Sequence, residues 1–272
     1  MNITRLAVIM SVYKGDALSY TQLAIESLQK QSLQDFTCFI LFDGMVEKDL
    51  DEYVSSMKDD RFVVIKNKTN QGLAKSMNQL LNNILPQQQY EYIARMDADD
   101  INALDRFEKQ VVFLDANPSV DCVGTWAIEI NEKGEEYFKK KMPISHDECF
   151  RFFGQRDCMI HPTVMFRRRY FEKAGLYPED TYFGEDTMMW AQGFAAKCRF
   201  ANIPEYLYYF RLNEQFFERR RGIKHALSIW HLRCKVNKML HYGPKAYFYA
   251  IAYALAKLMP EKILNVIYKK AR

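Results

Sequence analysis

Asp97, Asp99 and Asp100 place three carboxylates within four residues, at the end of the apolar run Tyr92-Ile93-Ala94-Arg95-Met96. Such a run ordinarily ends in a turn residue rather than in concentrated negative charge. Asp97 and Asp99 repel one another unless a cation sits between them. A hard divalent ion with oxygen ligands suits the pair, and such ions often accompany phosphates. The indicated chemistry is the handling of a nucleoside diphosphate. A solvated acidic turn is the plainer alternative, and the apolar strand leading into the run weighs against it.

Asp43, in Leu41-Phe42-Asp43-Gly44, can accept the imide N–H of uracil or thymine; Asp-Gly is equally a good turn dipeptide. Ser11 and Tyr13 follow the first apolar run, where Tyr13 can stack on a base and Ser11 can bond it. Neither GxGxxG nor GxxxxGK[ST] is present, so two common phosphate-binding loops are excluded. Glu185-Asp186 opens an amphipathic segment. The helix dipole alone explains an acidic pair there, whereas the functional reading makes one of the two a general base for a hydroxyl nucleophile. His161, near Arg156 and the run Arg167 to Arg169, and Arg211 are candidates for phosphate contacts. A structural histidine and a surface arginine are their plain counterparts.

These residues must be positioned by strands and helices. Leu6 to Met10 reads as a strand buried on both faces. Leu23, Ala24, Ile25 and Leu28 form a helical stripe. Cys38–Phe42 and Phe62–Ile65 are further strands, and Tyr92–Met96 is the fourth. Leu73, Met77, Leu80, Leu81 and Ile84 line one helix face; Leu104, Phe107, Val111 and Leu114 mark another. The βαβαβ order predicts a parallel sheet with crossover helices. Ligands of such sheets bind beyond the carboxyl ends of the strands, where Asp43 and Asp97 converge. Later, Val120–Ile130 and Thr163–Phe166 read as strands, and Ser145 to Glu148 has capping-box spacing. Glu185-Asp186 starts a helix through Trp190 and Phe194. From Arg219 the chain reads as helical, with breaks at Gly243-Pro244 and Pro260.

The 272 residues, 49% hydrophobic and 26% charged, describe a globular chain of one large α/β domain with an appendage. A net charge of +4 does not call for nucleic acid. Six cysteines without CxxC pairs fit reduced thiols in the cytoplasm. The run Leu6 to Val12 is too short for a signal peptide, and no stretch reaches the roughly 18 to 20 apolar residues of a membrane span.

Taken in order, Val8 to Tyr13, Asp43-Gly44, Asn70-Gln71-Gly72-Leu73-Ala74 with Asn78, Ala94 to Asp100, Arg106-Phe107, His161 to Arg167 and Gly184 to Trp190 resemble a bacterial inverting glycosyltransferase of family 2. The resemblance spans about residues 4 to 215. It implies a GT-A fold: a Rossmann-like nucleotide-binding half (1–120) and an acceptor half (121–215) on a mixed central sheet, with a helical C-terminal extension (216–272). It implies that Ser11, Tyr13, Asp43, Lys75, Arg95 and Asp97 bind the nucleotide. It makes Asp99, with Asp97, the ligands of Mn²⁺ or Mg²⁺, Asp186 of the Glu185-Asp186 pair the catalytic base, and His161, Arg211 and Trp190 contacts to diphosphate or acceptor. Family members often carry a histidine where this chain has Asn213; His161 is then a further candidate metal ligand. The implied reaction moves a sugar from a UDP- or dTDP-sugar to a saccharide hydroxyl with inversion, on a polyprenyl-diphosphate-linked acceptor of O-antigen or capsule type.

Rival readings carry less. A haloacid-dehalogenase phosphotransferase usually has its DxD at the first strand, and a sugar nucleotidyltransferase needs a Gly-rich N-terminal loop absent here. A non-catalytic nucleotide-binding protein has no use for Asp99 together with Asp186. Residues 245–257 are apolar nearly all round and flanked by cations, which suits a peripheral seat on the cytoplasmic face of the inner membrane. Packing on the catalytic domain or on a second subunit, as a homodimer, is the alternative.

Overall fold

β1 (Leu6–Val12), β2 (Phe36–Phe42), β3 (Phe62–Lys66) and β4 (Tyr92–Asp97) form the parallel part of the sheet, in the order β3-β2-β1-β4. The structure is a computed structural model and describes residues 4–180, 184–212 and 222–259. β1 shows why the early runs are continuously apolar. Its Ala7 and Ile9 enter one core and its Leu6, Val8, Met10 and Val12 the other, because successive side chains point to opposite faces and both faces are covered. α1 (Leu18–Gln29) covers one face through Ala24, Ile25 and Leu28. α3 (Leu73–Ile84) covers the other through Met77, Leu80, Leu81 and Ile84. α2 (Lys48–Ser55), between β2 and β3, completes this half of the sheet's connections.

Beyond β4 the sheet turns mixed. The two-residue β5 (Ile101–Asn102) precedes α4 (Arg106–Ala116). β6 (Cys122–Ile130) pairs antiparallel with β7 (Glu136–Lys140) and β8 (Met165–Arg167), and parallel with β9 (Phe200–Arg211). β8 pairs antiparallel with β4, and β9 with β5. The two halves are therefore laced together twice, and the sheet runs β3-β2-β1-β4-β8-β6-β9-β5 with β7 on the side of β6. α5 (His146–Phe153) starts with the expected capping box between Ser145 and Glu148. α6 (Arg168–Ala174) follows β8, and α7 (Glu185–Ala195) carries the acidic pair in its first turn.

Several expectations need correction. The strand expected over Thr163–Phe166 is split: His161–Thr163 is a 3₁₀ turn with Pro162 in it, and only Met165–Arg167 pairs, since proline cannot donate to a ladder. Leu104 lies outside α4 and is exposed, and Leu23 of α1 is also largely exposed. β9 was not anticipated because Pro204 and Glu205 interrupt its pattern. Both residues are exposed at a bulge, where β6 pairing jumps from Thr125↔Ile203 to Trp126↔Tyr206.

The C-terminal helices are α8 (Ile223–Met239) and α9 (Pro244–Ala256), matching the expected break at Gly243-Pro244. Ile229, Leu232, Val236 and Leu240 share one core with Met188, Met189 and Trp190 of α7. Asn213, Arg219 to Arg221 and the segment from Pro260 lie outside the described residues.

Candidate active site

The C-terminal ends of β1, β2 and β4 meet as expected. Register sets Ser11 of β1 beside Asp97 of β4 and Leu41 of β2. Tyr13, just past β1, is half-buried, its N–H donating to Asp16 Oδ2 at 2.9 Å. Asp43, just past β2, is buried and organises the loop before α3. Its Oδ1 accepts from Gln71 N at 2.7 Å, and its Oδ2 from Gly72 N at 2.9 Å and Asn70 Nδ2 at 3.0 Å. Gly44 makes this closure feasible: its φ is +89°, and a Cβ there would lie 2.7 Å from Asn70 N. Three donors thus occupy the Asp43 carboxylate from within the chain. Lys75 stands exposed in the first turn of α3.

Asp97, Asp99 and Asp100 each offer an oxygen, all within 4.8 Å of one another. Two ligands of one Mg²⁺, Mn²⁺ or Ca²⁺ stand about 2.0 to 2.6 Å from the ion, so this spacing lets one ion bridge them. The electrostatics agree. Burial and the Asp97 charge push the Asp99 carboxyl up to about 6. Burial, then the neighbouring Asp99 and Asp97 charges, also raise Asp100 well above its ordinary value. Asp100 Oδ1 accepts from Arg211 N at 2.7 Å, while its buried Oδ2 has no hydrogen-bond partner among the described residues. A buried carboxyl oxygen without a partner, in a turn where neighbouring carboxylates crowd one another, is an environment a divalent cation relieves. Asp100 carried no separate role in the sequence, although the run of carboxylates contained the signal.

Two buried arginines flank the cluster. Arg95 pairs with Asp97 Oδ1 at 2.5 Å through Nη2, and its Nε and Nη1 have no partner among the described residues. Arg211 donates from Nε to Asp99 O at 2.9 Å and from Nη1 to Asn131 O and Glu132 O at 3.1 and 3.2 Å. Its guanidinium lies 4.3 Å from the Tyr20 ring centroid, and Nη2 is left without a partner. Arg211 therefore braces the acidic turn and has one N–H group uncommitted. Tyr208 Oη accepts from Asp97 N at 3.2 Å. Arg106 is fully buried behind the turn and donates to Arg95 O at 2.9 Å.

His161 sits beneath the site. Its Nε2 is 2.9 Å from Tyr177 Oη, and its ring meets Trp190 edge-on. Burial, with the Arg95 charge added, pushes His161 well below its ordinary value, so the ring is neutral. It is not among the residues whose ligand atoms cluster with Asp97, Asp99 and Asp100. Trp190 has no exposed surface and packs on Phe166 and Phe200; in this arrangement it is a core residue, because position 190 falls on the inner face of α7.

Glu185 and Asp186 open α7 after Gly184, whose φ is +87°. Asp186 Oδ1 accepts from Thr187 N at 2.7 Å, and the helix N-terminus favours its negative charge. Two residues of this region went unassigned in the sequence. Tyr177 lies close enough to Asp186 and Glu185 for their charges to help hold its phenol protonated, after burial. Asn78 grips the Tyr177 backbone from α3. Tyr177 stands in no pattern, and Asn78, though part of the motif that starts at Asn70, carries no assigned role.

The comparisons with known proteins agree with this geometry. A glycosyltransferase of amylovoran biosynthesis in Erwinia amylovora is 27% identical over 98% of this chain and 98% of its own. UDP-Gal:α-D-GlcNAc-diphosphoundecaprenol β-1,3-galactosyltransferase of Escherichia coli is also 27% identical, over 98% of this chain and 96% of its own. A mannosyltransferase of Pyrobaculum calidifontis in complex with GDP-Man and Mn²⁺ superposes with a TM-score of 0.63 at 15% identity, covering 98% of this chain and 79% of that one. The architecture is that of a GT-A glycosyltransferase. The model of "Glycosyl transferase family 2" matches residues 7–175, and the chain belongs to that family.

Proposed function

We propose that this chain is an inverting glycosyltransferase that uses a UDP- or dTDP-sugar, with a divalent cation, to build a β-glycoside on a lipid-linked saccharide. The observation that carries the reading is the acidic cluster of Asp97, Asp99 and Asp100 at the sheet's C-terminal edge, with an acidic pair at the start of α7.

Asp99 and Asp97, with Asp100 behind them, are the residues that would hold Mn²⁺ or Mg²⁺. The ion, when bound, neutralises the departing nucleoside diphosphate. Ser11 and Tyr13 line the base and ribose pocket. Asp43 shapes it through the 70–72 loop and has lone-pair capacity for a pyrimidine imide beyond its three internal donors. Lys75 offers an exposed positive charge to phosphate oxygens, and the buried guanidinium groups of Arg95 and Arg211 add to the positive field behind the acidic turn. Asp186 accepts the proton of the acceptor hydroxyl as that oxygen bonds the anomeric carbon. The bond from that carbon to the nucleoside diphosphate breaks on the opposite face. An α-linked donor thereby gives a β-linked product. The relative from E. coli supports the donor and acceptor class, since its name pairs a UDP-sugar with a diphosphoundecaprenol-linked acceptor.

A lipid-linked acceptor places the enzyme at a bilayer. Residues 222–259 hold six Lys or Arg and no Asp or Glu. α9 exposes Phe248, Ile251 and Leu255, and Leu258 follows it, while no helix among the described residues is long and apolar enough to cross a membrane. A cationic segment with an apolar outer stripe suits a peripheral seat on anionic lipid. Co-sedimentation with phosphatidylglycerol vesicles at low salt, lost at high salt and on Phe248→Ser with Ile251→Ser, is the expected result. A dimer in solution that the same substitutions dissolve would assign the stripe to a second copy instead.

The reaction itself is tested by the stereochemistry of its product. NMR of the glycoside made from an α-linked donor should show a β anomeric proton. An α-linked product removes the single displacement.

A further inference from the structure

α8 reaches the first turn of α7 through two consecutive residues. Leu232 lies against Gly184, so closely that a Cβ built at position 184 would overlap Leu232 Cδ2. Arg233, buried at 3% exposure, donates from Nη2 to Asp157 Oδ1 at 3.0 Å and from Nη1 to Phe153 O at 3.1 Å. The same Asp157 oxygen accepts from Thr187 Oγ1 at 2.9 Å. Thr187 in turn donates its backbone N–H to Asp186 Oδ1 at 2.7 Å. The path from α8 to the carboxylate thus runs through four residues, each within hydrogen-bonding distance of the next.

We propose that Arg233 and Asp157 act through Thr187 as positioning residues for the Asp186 carboxylate, so that α8 is a working part of the catalytic site. The proposal rests on Asp186 being the base. Its physical basis is the shared acceptor. Asp157 Oδ1 is fixed by a guanidinium that is itself locked over the Phe153 ring, 5.3 Å from its centroid. An oxygen held in this way tethers the Thr187 side chain, and through it the backbone of the first turn of α7, whose Thr187 N–H donates to the Asp186 carboxylate. Gly184 is the second constraint: its left-handed backbone aims the first turn, and Leu232 closes the space into which that turn could relax. Proton transfer depends steeply on donor–acceptor placement. Loss of the path should therefore lower turnover without loosening the donor, whose contacts lie at β1, β2 and β4.

The test uses full-length protein and three substitutions. Thr187→Val keeps the shape of the side chain and removes the donor; Thr187→Ser keeps the donor; Arg233→Lys keeps the charge and loses the second N–H branch. Thr187→Val and Arg233→Lys should lower kcat by roughly tenfold or more, leave nucleotide Kd by calorimetry within about twofold, and keep the wild-type circular dichroism spectrum. Thr187→Ser should restore most of the turnover. Each substitution should then add no further loss to the residual rate of Asp186→Asn, because residues acting as a unit are non-additive. Equal fractional losses in the wild-type and Asp186→Asn backgrounds, or a donor Kd that weakens in step with kcat, would overturn the proposal. So would unchanged kcat. Near wild-type turnover in Asp186→Asn alone would instead remove the base assignment beneath it, which separates the two failures.

Discussion

Asn78 and Tyr177 hold each other like paired strand residues. Asn78 Nδ2 donates to Tyr177 O at 2.9 Å, and Tyr177 N donates to Asn78 Oδ1 at 2.8 Å, across 99 positions of sequence. The same Nδ2 also donates to Glu179 Oε1 at 2.8 Å. α3 begins at the loop that Asp43 ties down, so one side chain joins the helix that follows this loop to the segment that leads towards Glu185 and Asp186.

Asn78→Ala leaves both backbone groups of a buried residue without partners. The expected destabilisation is about 1 to 3 kcal/mol, read as a lowered denaturant midpoint. Turnover should fall by more than nucleotide affinity does if the clamp serves the proposed base on α7. Equal losses in kcat and donor Kd would show that Asn78 serves the nucleotide pocket only.

Asp99→Ala should abolish transfer and donor binding together, and chelator should do the same to the wild type. Full activity in excess chelator would end the metal assignment. The pH dependence has a defined sign. The Asp99 carboxyl, raised to about 6 in the fold from an ordinary 3.8, binds a proton in the native state that the unfolded chain has already lost between those values. Its contribution to stability is fully present below 3.8 and is lost as pH rises through about 6. A divalent cation must displace that proton. The thermal shift produced by Mn²⁺ should therefore grow from pH 5 to pH 7. A shift that is flat over this range would contradict a carboxylate site held at raised pKa.

Asp186→Asn should leave donor affinity nearly intact and lower kcat by orders of magnitude, because the carboxylate acts chiefly in the transition state. Glu185→Gln should cost less. Retained turnover in Asp186→Asn would reduce the acidic pair to a helix-start device.

Asp43→Asn removes one of the acceptors for the Gln71 and Gly72 amides and puts an NH₂ group in its place. Donor KM should rise, and kcat at saturating donor should change little. Limited proteolysis should detect a loosened 70–72 loop. An unaltered KM would show that the loop keeps its shape without the ionised carboxylate.

The parallel half of the fold was legible because burial on both faces writes itself into sequence as unbroken apolar runs, as in Leu6 to Met10 and Cys38 to Phe42. α3 was legible from its stripe and α7 from its acidic first turn. The second half hid its strands for local reasons. β9 contains Pro204 and Glu205 at a bulge, β5 has two residues, and β7 is mostly exposed, so none of them shows a clean period of two. In the site, the clustering of Asp97, Asp99 and Asp100 was legible, because all three stand within four residues of sequence. The burial of Arg95 and Trp190 was not legible because burial cannot be seen in a residue type: Arg95, a candidate nucleotide contact, has 2% of its surface exposed, and Trp190 faces the core. Asn78 and Thr187 lie within the motifs but without a role, and Asp157 lies in none, because a side chain that bonds distant backbone or another helix shows its partner only in three dimensions.

The double lacing of the sheet constrains how the enzyme can move. β4 of the first half pairs with β8 of the second, and β5 of the first with β9 of the second. Arg211, at the end of β9, also bonds the backbone of the acidic turn. Swinging one half against the other would tear two ladders of main-chain bonds. The pairing thereby opposes a clamshell closure of one half on the other. Crystals grown with and without nucleotide should therefore superpose strand for strand across both halves of the sheet.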